Sequence, residues 1–241
     1  YVSALIYIPK DRYDTAVRRR VGEYLARIYN GRLSASYPAY PEGPLSRTHY
    51  IIGRDEGPTP VLARMDIEAG IAAIVRTWPD ALKDRLSERG AEGRQLSARY
   101  ADGFSASYRE AFGVDDAMRD IALIETLSLD HPRAVDLYRR PGGDANRTSL
   151  KVYTRGAAIP LSERVPVLEK MGFSVINERT YHITPADGSD AVGVWLHDMM
   201  LELPNAQHES IDSFDENVED GLLAVFSGRA ESDGFNKLIV A

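Results

Sequence analysis

The sequence predicts an α+β protein in which the order strand, helix, strand, strand, helix occurs twice, with further helices between the two occurrences. Two kinds of pattern indicate this class. Apolar side chains recur every three or four residues, and short runs of β-branched and aromatic residues are bounded by turn residues. The 241 residues are 44% hydrophobic. A chain of this length buries roughly 70–75% of its unfolded surface, so it can form a core without disulfides.

The composition excludes several classes of protein. The absence of cysteine excludes a disulfide framework, a thiolate zinc site and a cysteine nucleophile. The net charge of −7 disfavours binding to nucleic acid or to an anionic membrane surface. No apolar run approaches the roughly 18 residues of a membrane helix, and the first residues lack a signal-peptide pattern. We therefore expect a cytoplasmic protein with neither nucleic acid nor membrane as a partner.

The first occurrence of the pattern begins with a strand at residues 2–8, where β-branched and aromatic side chains are frequent. Asp14 is expected to cap a helix whose apolar side chains share one stripe. Residues 33–40 and 45–52 predict two further strands around a turn rich in proline and glycine. The helical stripe consists of Val17, Val21, Leu25 and Ile28.

A second helix completes this first module. Its expected N-cap is Asp66, and Pro79 is expected to kink or restart it. The resulting order is that of a ferredoxin-like unit without its last strand. We assign residues 1–90 to this module. Its sheet retains an unpaired edge, and such edges recruit partner strands within a chain or between chains.

Residues 91–132 predict a helical connector. Five large side chains are spaced by four residues, which indicates one helix with a ridge of rings that ends at Gly113. A second helix is expected to run to about Leu127. The ridge is more typical of a core or a domain interface than of a cofactor site. Its members are Leu96, Tyr100, Phe104, Tyr108 and Phe112.

The second module, at residues 133–241, repeats the pattern and adds a leading strand. Strands are expected at 135–138, 150–153, 173–183 and 191–203. Ser162 is the expected cap of the first helix of this module. A capping-box spacing between Ser213 and Glu216 predicts a C-terminal helix.

The strand at 191–203 has a change of parity in its apolar residues. Val192, Val194 and Leu196 share one parity, whereas Met199, Leu201 and Leu203 share the other. If only one face of the sheet is buried, a single inserted residue is needed to keep all of them inside. The pattern therefore predicts a β-bulge or a break of the strand at His197-Asp198, with a structural and not a catalytic role.

Few residues suggest chemistry. The chain contains neither a dinucleotide-binding glycine motif nor a phosphate-binding loop ending in Lys-Ser or Lys-Thr. His182 and His197 could face each other across neighbouring strands, with Asp198 nearby. That pair allows a metal or acid-base role, but a cross-strand polar pair is the commoner arrangement. We therefore assign no catalytic, cofactor-binding or metal-binding residue.

Two loops are candidates for binding an effector or for forming an interface. Lys10, Asp11 and Arg12 occupy the first strand-to-helix loop, and Arg155 with Gly156 occupies the equivalent loop of the second module. Such loops lie at helix N-termini, where anions bind readily. The alternative is that both are ordinary solvated loops.

Several segments, in order along nearly the whole chain, resemble the large NAD-specific glutamate dehydrogenases of bacteria. The first is Tyr7-Ile8-Pro9-Lys10-Asp11-Arg12-Tyr13. The family's inter-repeat helix is similar to Arg99-Tyr100-Ala101-Asp102-Gly103-Phe104. Its later module resembles residues 166–173, and Val194-Trp195-Leu196-His197-Asp198 also matches.

The resemblance implies that the modules are ACT-like and precede the catalytic domains of a very long chain. It implies a non-catalytic regulatory and oligomerisation region, inactive by itself, in an enzyme that converts L-glutamate to 2-oxoglutarate with NAD. The implied partners are the catalytic domains of the same chain, further copies of it and an amino-acid effector. No cofactor is expected in the segment itself. The alternative is a free-standing, amino-acid-sensing ACT-like binding protein.

The two ends favour the first of these readings. The chain begins with Tyr1 instead of an initiating methionine, and it ends in the apolar residues 238–241. We therefore expect a segment of a longer protein.

Overall fold

A computed structural model describes residues 1–54, 57–140, 144, 146–186, 192–202 and 215–233. The chain divides into two compact units, Tyr1–Ala81 and Leu82–Ala241. The mixture of helices with two antiparallel sheets confirms the predicted α+β class.

The first unit is a three-stranded antiparallel sheet with helices on one face. The strand order is β1-β3-β2. The side chains between sheet and helices form one core, which includes Ile8, Val21, Leu25, Tyr50 and Ile71. The elements are β1 (Val2–Pro9), α1 (Thr15–Ile28), β2 (Gly31–Ala39), β3 (Leu45–Arg54) and α2 (Arg64–Val75).

Local signals explain the helix boundaries in this unit. The Asp14 carboxylate accepts a hydrogen bond from the Val17 amide at 2.7 Å, which confirms the predicted cap. Asp66 is not the cap of α2, because that helix begins at Arg64 and places Asp66 in its first turn. Pro79 lies in the first turn of the next helix, α3 (Trp78–Ser87), so the helix restarts there.

The connector contains α4 (Gly90–Tyr100), α5 (Ala106–Ala111) and α6 (Val114–Ile124). The prediction of one helix through the aromatic ridge is therefore wrong. Phe104 forms an antiparallel bridge with Ile183, and the Thr184 amide donates to the Gly103 carbonyl at 2.9 Å. Pairing with the edge of a distant strand thus interrupts the helix. The ridge itself persists, since the ring centroids of Tyr108 lie 4.6 Å from Phe104 and 4.8 Å from Phe112.

The second sheet is four-stranded and antiparallel, in the order β4-β5-β7-β6. Its segment from β5 to α8 repeats the order of β1 to α2, and β4 is an added strand on the outer edge of β5. Ser162 is not the cap of α7, because Pro160 holds the N-cap position. Ser213 lies outside the described residues. The elements are β4 (Arg133–Tyr138), β5 (Arg147–Arg155), α7 (Leu161–Lys170), β6 (Ser174–Ile183), β7 (Val194–Glu202) and α8 (Asp215–Phe226).

Strand β7 has no bulge at His197-Asp198, so that prediction is wrong. Its pairing with β5 is continuous from Arg147 opposite Glu202 to Arg155 opposite Val194. The irregularity lies in β6, between Val175 and Asn177. The parity argument assumed that one face of the sheet is buried, whereas both faces are. Helices α7 and α8 pack against the Met199 face, and aromatic side chains of the connector pack against the opposite face.

Candidate functional site

The first candidate loop is held by contacts within its own unit. Residues 10–12 form a short 3₁₀ turn, and the Lys10 ammonium donates to the Pro41 carbonyl at 2.7 Å. Arg12 forms an ion pair with Asp80 at 2.9 Å, whereas Asp11 is exposed. Partial burial raises the pKa of Asp80. Hydrogen bonds from Thr77 and the charge of Arg12 outweigh that effect and hold it below its usual value. Both cations of the loop are therefore engaged.

The second candidate loop follows β5 as a tight turn. The Arg155 amide donates to the Pro132 carbonyl at 2.9 Å. Gly156 has a φ of 89°, which favours glycine because it has no Cβ. Its amide donates to the Gly193 carbonyl at 2.9 Å, and its carbonyl accepts from the Trp195 indole at 3.0 Å. Hydrogen bonds to Pro132, Gly193 and Trp195 therefore hold the backbone of this turn.

Arg155 borders a cavity of about 80 Å³ between the end of β5 and the connector helices. Its Nε atom is buried and has no hydrogen-bond partner among the described residues. Glu125 also lines the cavity, and its carboxylate accepts two hydrogen bonds from Arg99, at 2.8 and 2.9 Å, and a third from the Tyr100 hydroxyl. The cavity is therefore lined by two guanidinium groups and by one carboxylate, which is already paired with Arg99.

These groups support binding of a small polar molecule. A guanidinium binds carboxylates through paired hydrogen bonds, and a carboxylate accepts hydrogen bonds from an ammonium group. One water molecule needs roughly 10–15 Å³, so the cavity has room for a ligand of several non-hydrogen atoms. The loop pattern identified Arg155 and Gly156. It gave no indication of Arg99 or Glu125, which lie far away in sequence.

A buried ionic cluster joins the connector to the second sheet. The Lys151 ammonium lies 2.6 Å from an Asp120 carboxylate oxygen, and the two side chains are 2% and 0% exposed. The Tyr153 hydroxyl donates to the same oxygen at 2.8 Å, and the Tyr108 hydroxyl donates to the other. Burial, followed by the charge of Asp120, raises the pKa of Tyr153 well above its usual value. Every member is paired, as a stable buried cluster requires.

His197 belongs to a second buried cluster, which holds the segment before α7. Its Nε2 atom accepts from the Ile159 amide at 3.2 Å, and its Nδ1 atom lies 3.4 Å from Glu178. Arg164 donates both to the Ile159 carbonyl and to Glu178. Burial and the charge of Arg164 lower the pKa of His197 to about 4, although Glu178 acts in the opposite direction. His197 is therefore neutral near pH 7.

His182 and His197 do not face each other. His197 pairs with Thr180, whereas His182 pairs with Trp195 and stacks on its ring at a centroid distance of 4.4 Å. Asp198 is on the opposite face of β7 from His197 and binds Tyr138 at 2.7 Å. Among the described residues, no three His, Asp or Glu side chains come together in a way that could hold a metal ion. Within the same ranges, every helix is too short or too polar to span a bilayer.

Three family models match consecutive parts of the chain. Residues 1–79 match the glutamate dehydrogenase ACT2 domain, residues 81–127 match its helical motif 2, and residues 132–214 match its ACT3 domain. Together these matches cover most of residues 1–214.

Curated relatives agree with the family models. The NAD-specific glutamate dehydrogenase of Halomonas elongata is 30% identical over all of this chain. The corresponding enzymes of Mycobacterium tuberculosis and Pseudomonas aeruginosa are 29% and 26% identical over 100% and 98% of it. The chain spans only 14–16% of the length of these relatives. The chain therefore belongs to the NAD-specific glutamate dehydrogenase family and corresponds to its region of ACT and helical-motif domains.

Proposed function

We propose that this chain is a non-catalytic regulatory and oligomerisation region of a cytoplasmic, NAD-dependent glutamate dehydrogenase. The full-length enzyme converts L-glutamate to 2-oxoglutarate by oxidative deamination, and its catalytic domains lie outside this chain. The observation that carries the proposal is that this chain matches two ACT domains with a helical motif between them. The chain corresponds to 15% of the length of the Halomonas elongata relative. That small share favours a part of an enzyme over a free-standing binding protein.

The proposed organisation has three parts. Residues 1–90 form the first ACT-like module, residues 91–132 form the helical connector, and residues 133–241 form the second module with its C-terminal helix. Copies of the full-length chain associate into a homo-oligomer. The loop at Lys10, Asp11 and Arg12 is proposed to lie at an interface, since the exposed Asp11 is available to a partner.

The loop at Arg155 and Gly156 is proposed to bind an amino-acid effector. Arg155 matches the carboxylate of a small amino acid, and the remaining acceptor site of the Glu125 carboxylate, which accepts three hydrogen bonds within the protein, matches its ammonium group. Both groups border the same cavity, and the buried Nε atom of Arg155 supports this role. The connector and β5 both contribute to the cavity wall, so a ligand would change how firmly they pack together.

The effector site is tested in the full-length enzyme by measuring glutamate oxidation with NAD while individual amino acids are added. The variant Arg155→Met is expected to abolish the response to an effector while leaving the rate without effector unchanged. Arg147→Met is the matched control, because Arg147 begins the same strand far from the cavity. An effector response that survives Arg155→Met contradicts the proposed site.

The non-catalytic role is tested separately on the purified 241-residue chain. We expect no NADH formation from glutamate and NAD, because the chain lacks a dinucleotide-binding glycine motif. Turnover that rises in proportion to the concentration of the pure chain would refute this role.

A further inference from the structure

The two units differ at one edge of their sheets. In the second unit, β4 pairs with the outer edge of β5 from Arg133 opposite Thr154 to Tyr138 opposite Ser149. In the first unit, β1 corresponds to β5, and no described residue pairs with its outer edge. Within the described ranges, the first unit therefore has no counterpart of β4.

Two apolar side chains of β1 are exposed on the sheet face opposite to the core residues Val2, Ile6 and Ile8. Tyr7 lies two residues before the end of β1, as Tyr153 does in β5, and Leu5 corresponds in the same way to Lys151. Leu5 and Tyr7 are each 55% exposed, whereas the connector covers Lys151 and Tyr153, which both bind Asp120 of α6. Large apolar side chains on an uncovered edge strand promote aggregation, so we expect a further segment to cover them in the full-length protein.

A groove lies beside β1 in the first unit. It has a volume of about 560 Å³ and is bordered by residues 5–9 on one side and by Ile71, Ala72 and Val75 of α2 on the other. In the second unit, the corresponding helix α8 packs on β4. The Glu219 carboxylate of α8 accepts a hydrogen bond from the Leu137 amide of that strand at 2.6 Å. The groove thus lies where the second unit holds a strand.

We propose that the segment of the full-length enzyme directly upstream of residue 1 forms a strand that occupies this groove. It pairs antiparallel with β1 and packs against α2, in the way that β4 pairs with β5 and packs against α8. The inference assumes only that the chain continues upstream in the full-length protein; it requires neither an effector nor catalysis.

The hairpin of β4 and β5 in the second unit indicates that the groove is occupied by the upstream segment of the same chain. Strand β4 ends at Tyr138 and β5 begins at Arg147, so the two form a hairpin within one continuous stretch of chain. Because the order from β1 to α2 is the same as the order from β5 to α8, an upstream hairpin strand reaches the β1 edge by the same short connection. Binding of a strand from a second copy would in addition lose translational and rotational entropy, which makes it less favourable than pairing within one chain.

Photochemical cross-linking of the full-length enzyme tests the occupant. Tyr7 is replaced by the photoreactive aromatic amino acid benzoylphenylalanine, and the cross-linked peptides are identified by mass spectrometry. We expect the major product to join residue 7 to a peptide upstream of residue 1 in the same chain. A mixture of isotopically labelled and unlabelled subunits separates this product from a cross-link to a second copy. A cross-link to another copy, to a different region or to nothing overturns the proposal.

Hydrogen exchange of the same enzyme provides the second measurement. Blocking the groove with Ala72→Trp is expected to accelerate exchange in peptides from β1 at least about tenfold. Ala73→Trp is the matched control, since Ala73 is an exposed neighbour on α2 that does not border the groove. Equal exchange in the two variants would contradict the proposal, even if both retain glutamate dehydrogenase activity.

Discussion

Lowering the pH from 7 to 5 is expected to destabilise the second unit by about 2 kcal/mol through His197 alone. The folded protein holds the pKa of His197 at about 4, because the ring is buried beside Arg164. In the unfolded chain a histidine has a pKa of about 6.5. The unfolded state therefore takes up a proton first as the pH falls. The stabilisation is fully present above pH 6.5 and is lost between about pH 6.5 and pH 4.

The assay follows urea unfolding of the second unit at several pH values. The chain has two tryptophans, so Trp78→Phe leaves Trp195 as a reporter in β7. His197→Gln removes the titrating ring, and His131→Gln is the control, since His131 is exposed. We expect the stability loss between pH 7 and 5 to be about 2 kcal/mol smaller in His197→Gln than in either other protein. Identical pH profiles in all three proteins would refute the reasoning.

Three further substitutions test the packing. Asp120→Asn is expected to cost about 3–5 kcal/mol, because it leaves the buried Lys151 charge without its carboxylate; a loss below 1 kcal/mol in urea unfolding would contradict this. Asp14→Ala should cost about 1 kcal/mol of the first unit's stability through loss of the helix cap, and an unchanged unfolding midpoint would argue against that role. Gly93→Ala should lower the melting temperature despite alanine's better helix propensity, because the new Cβ overlaps the Leu86 carbonyl oxygen. A higher melting temperature would contradict this, because it would mean that α3 and α4 move apart at little cost.

The sequence predicted features that depend on neighbouring residues. The Asp14 cap is an example, because a cap needs only a side chain and an amide three residues later. The ridge was wrongly predicted as one helix, because pairing of Phe104 with Ile183 depends on a strand about 80 residues away. The spacing by four residues correctly predicted the contacts between the rings, but it wrongly predicted one continuous helix.

The candidate site also depends on residues that are far apart in the sequence, and local patterns reveal only some of them. Arg155 could be found because its loop follows a strand and precedes a helix, as the loop at Lys10 does. Glu125 belongs to the end of the connector, where nothing in the local pattern points to a pocket. The prediction of a bulge at His197-Asp198 was wrong for a related reason. Parity reveals which residues share a face, but it does not reveal that a second layer of helices covers the other face.

Coverage of the second sheet by helices that precede it has a consequence for synthesis on the ribosome. The aromatic ridge ends at Phe112, whereas β7 ends at Glu202, roughly 90 residues later. At the usual rate of about 5–20 residues per second, the ridge emerges roughly 5–20 seconds before the strands that bury it. Each nascent chain thus carries an uncovered row of rings during that interval, in which chaperones have time to bind and neighbouring nascent chains have time to aggregate.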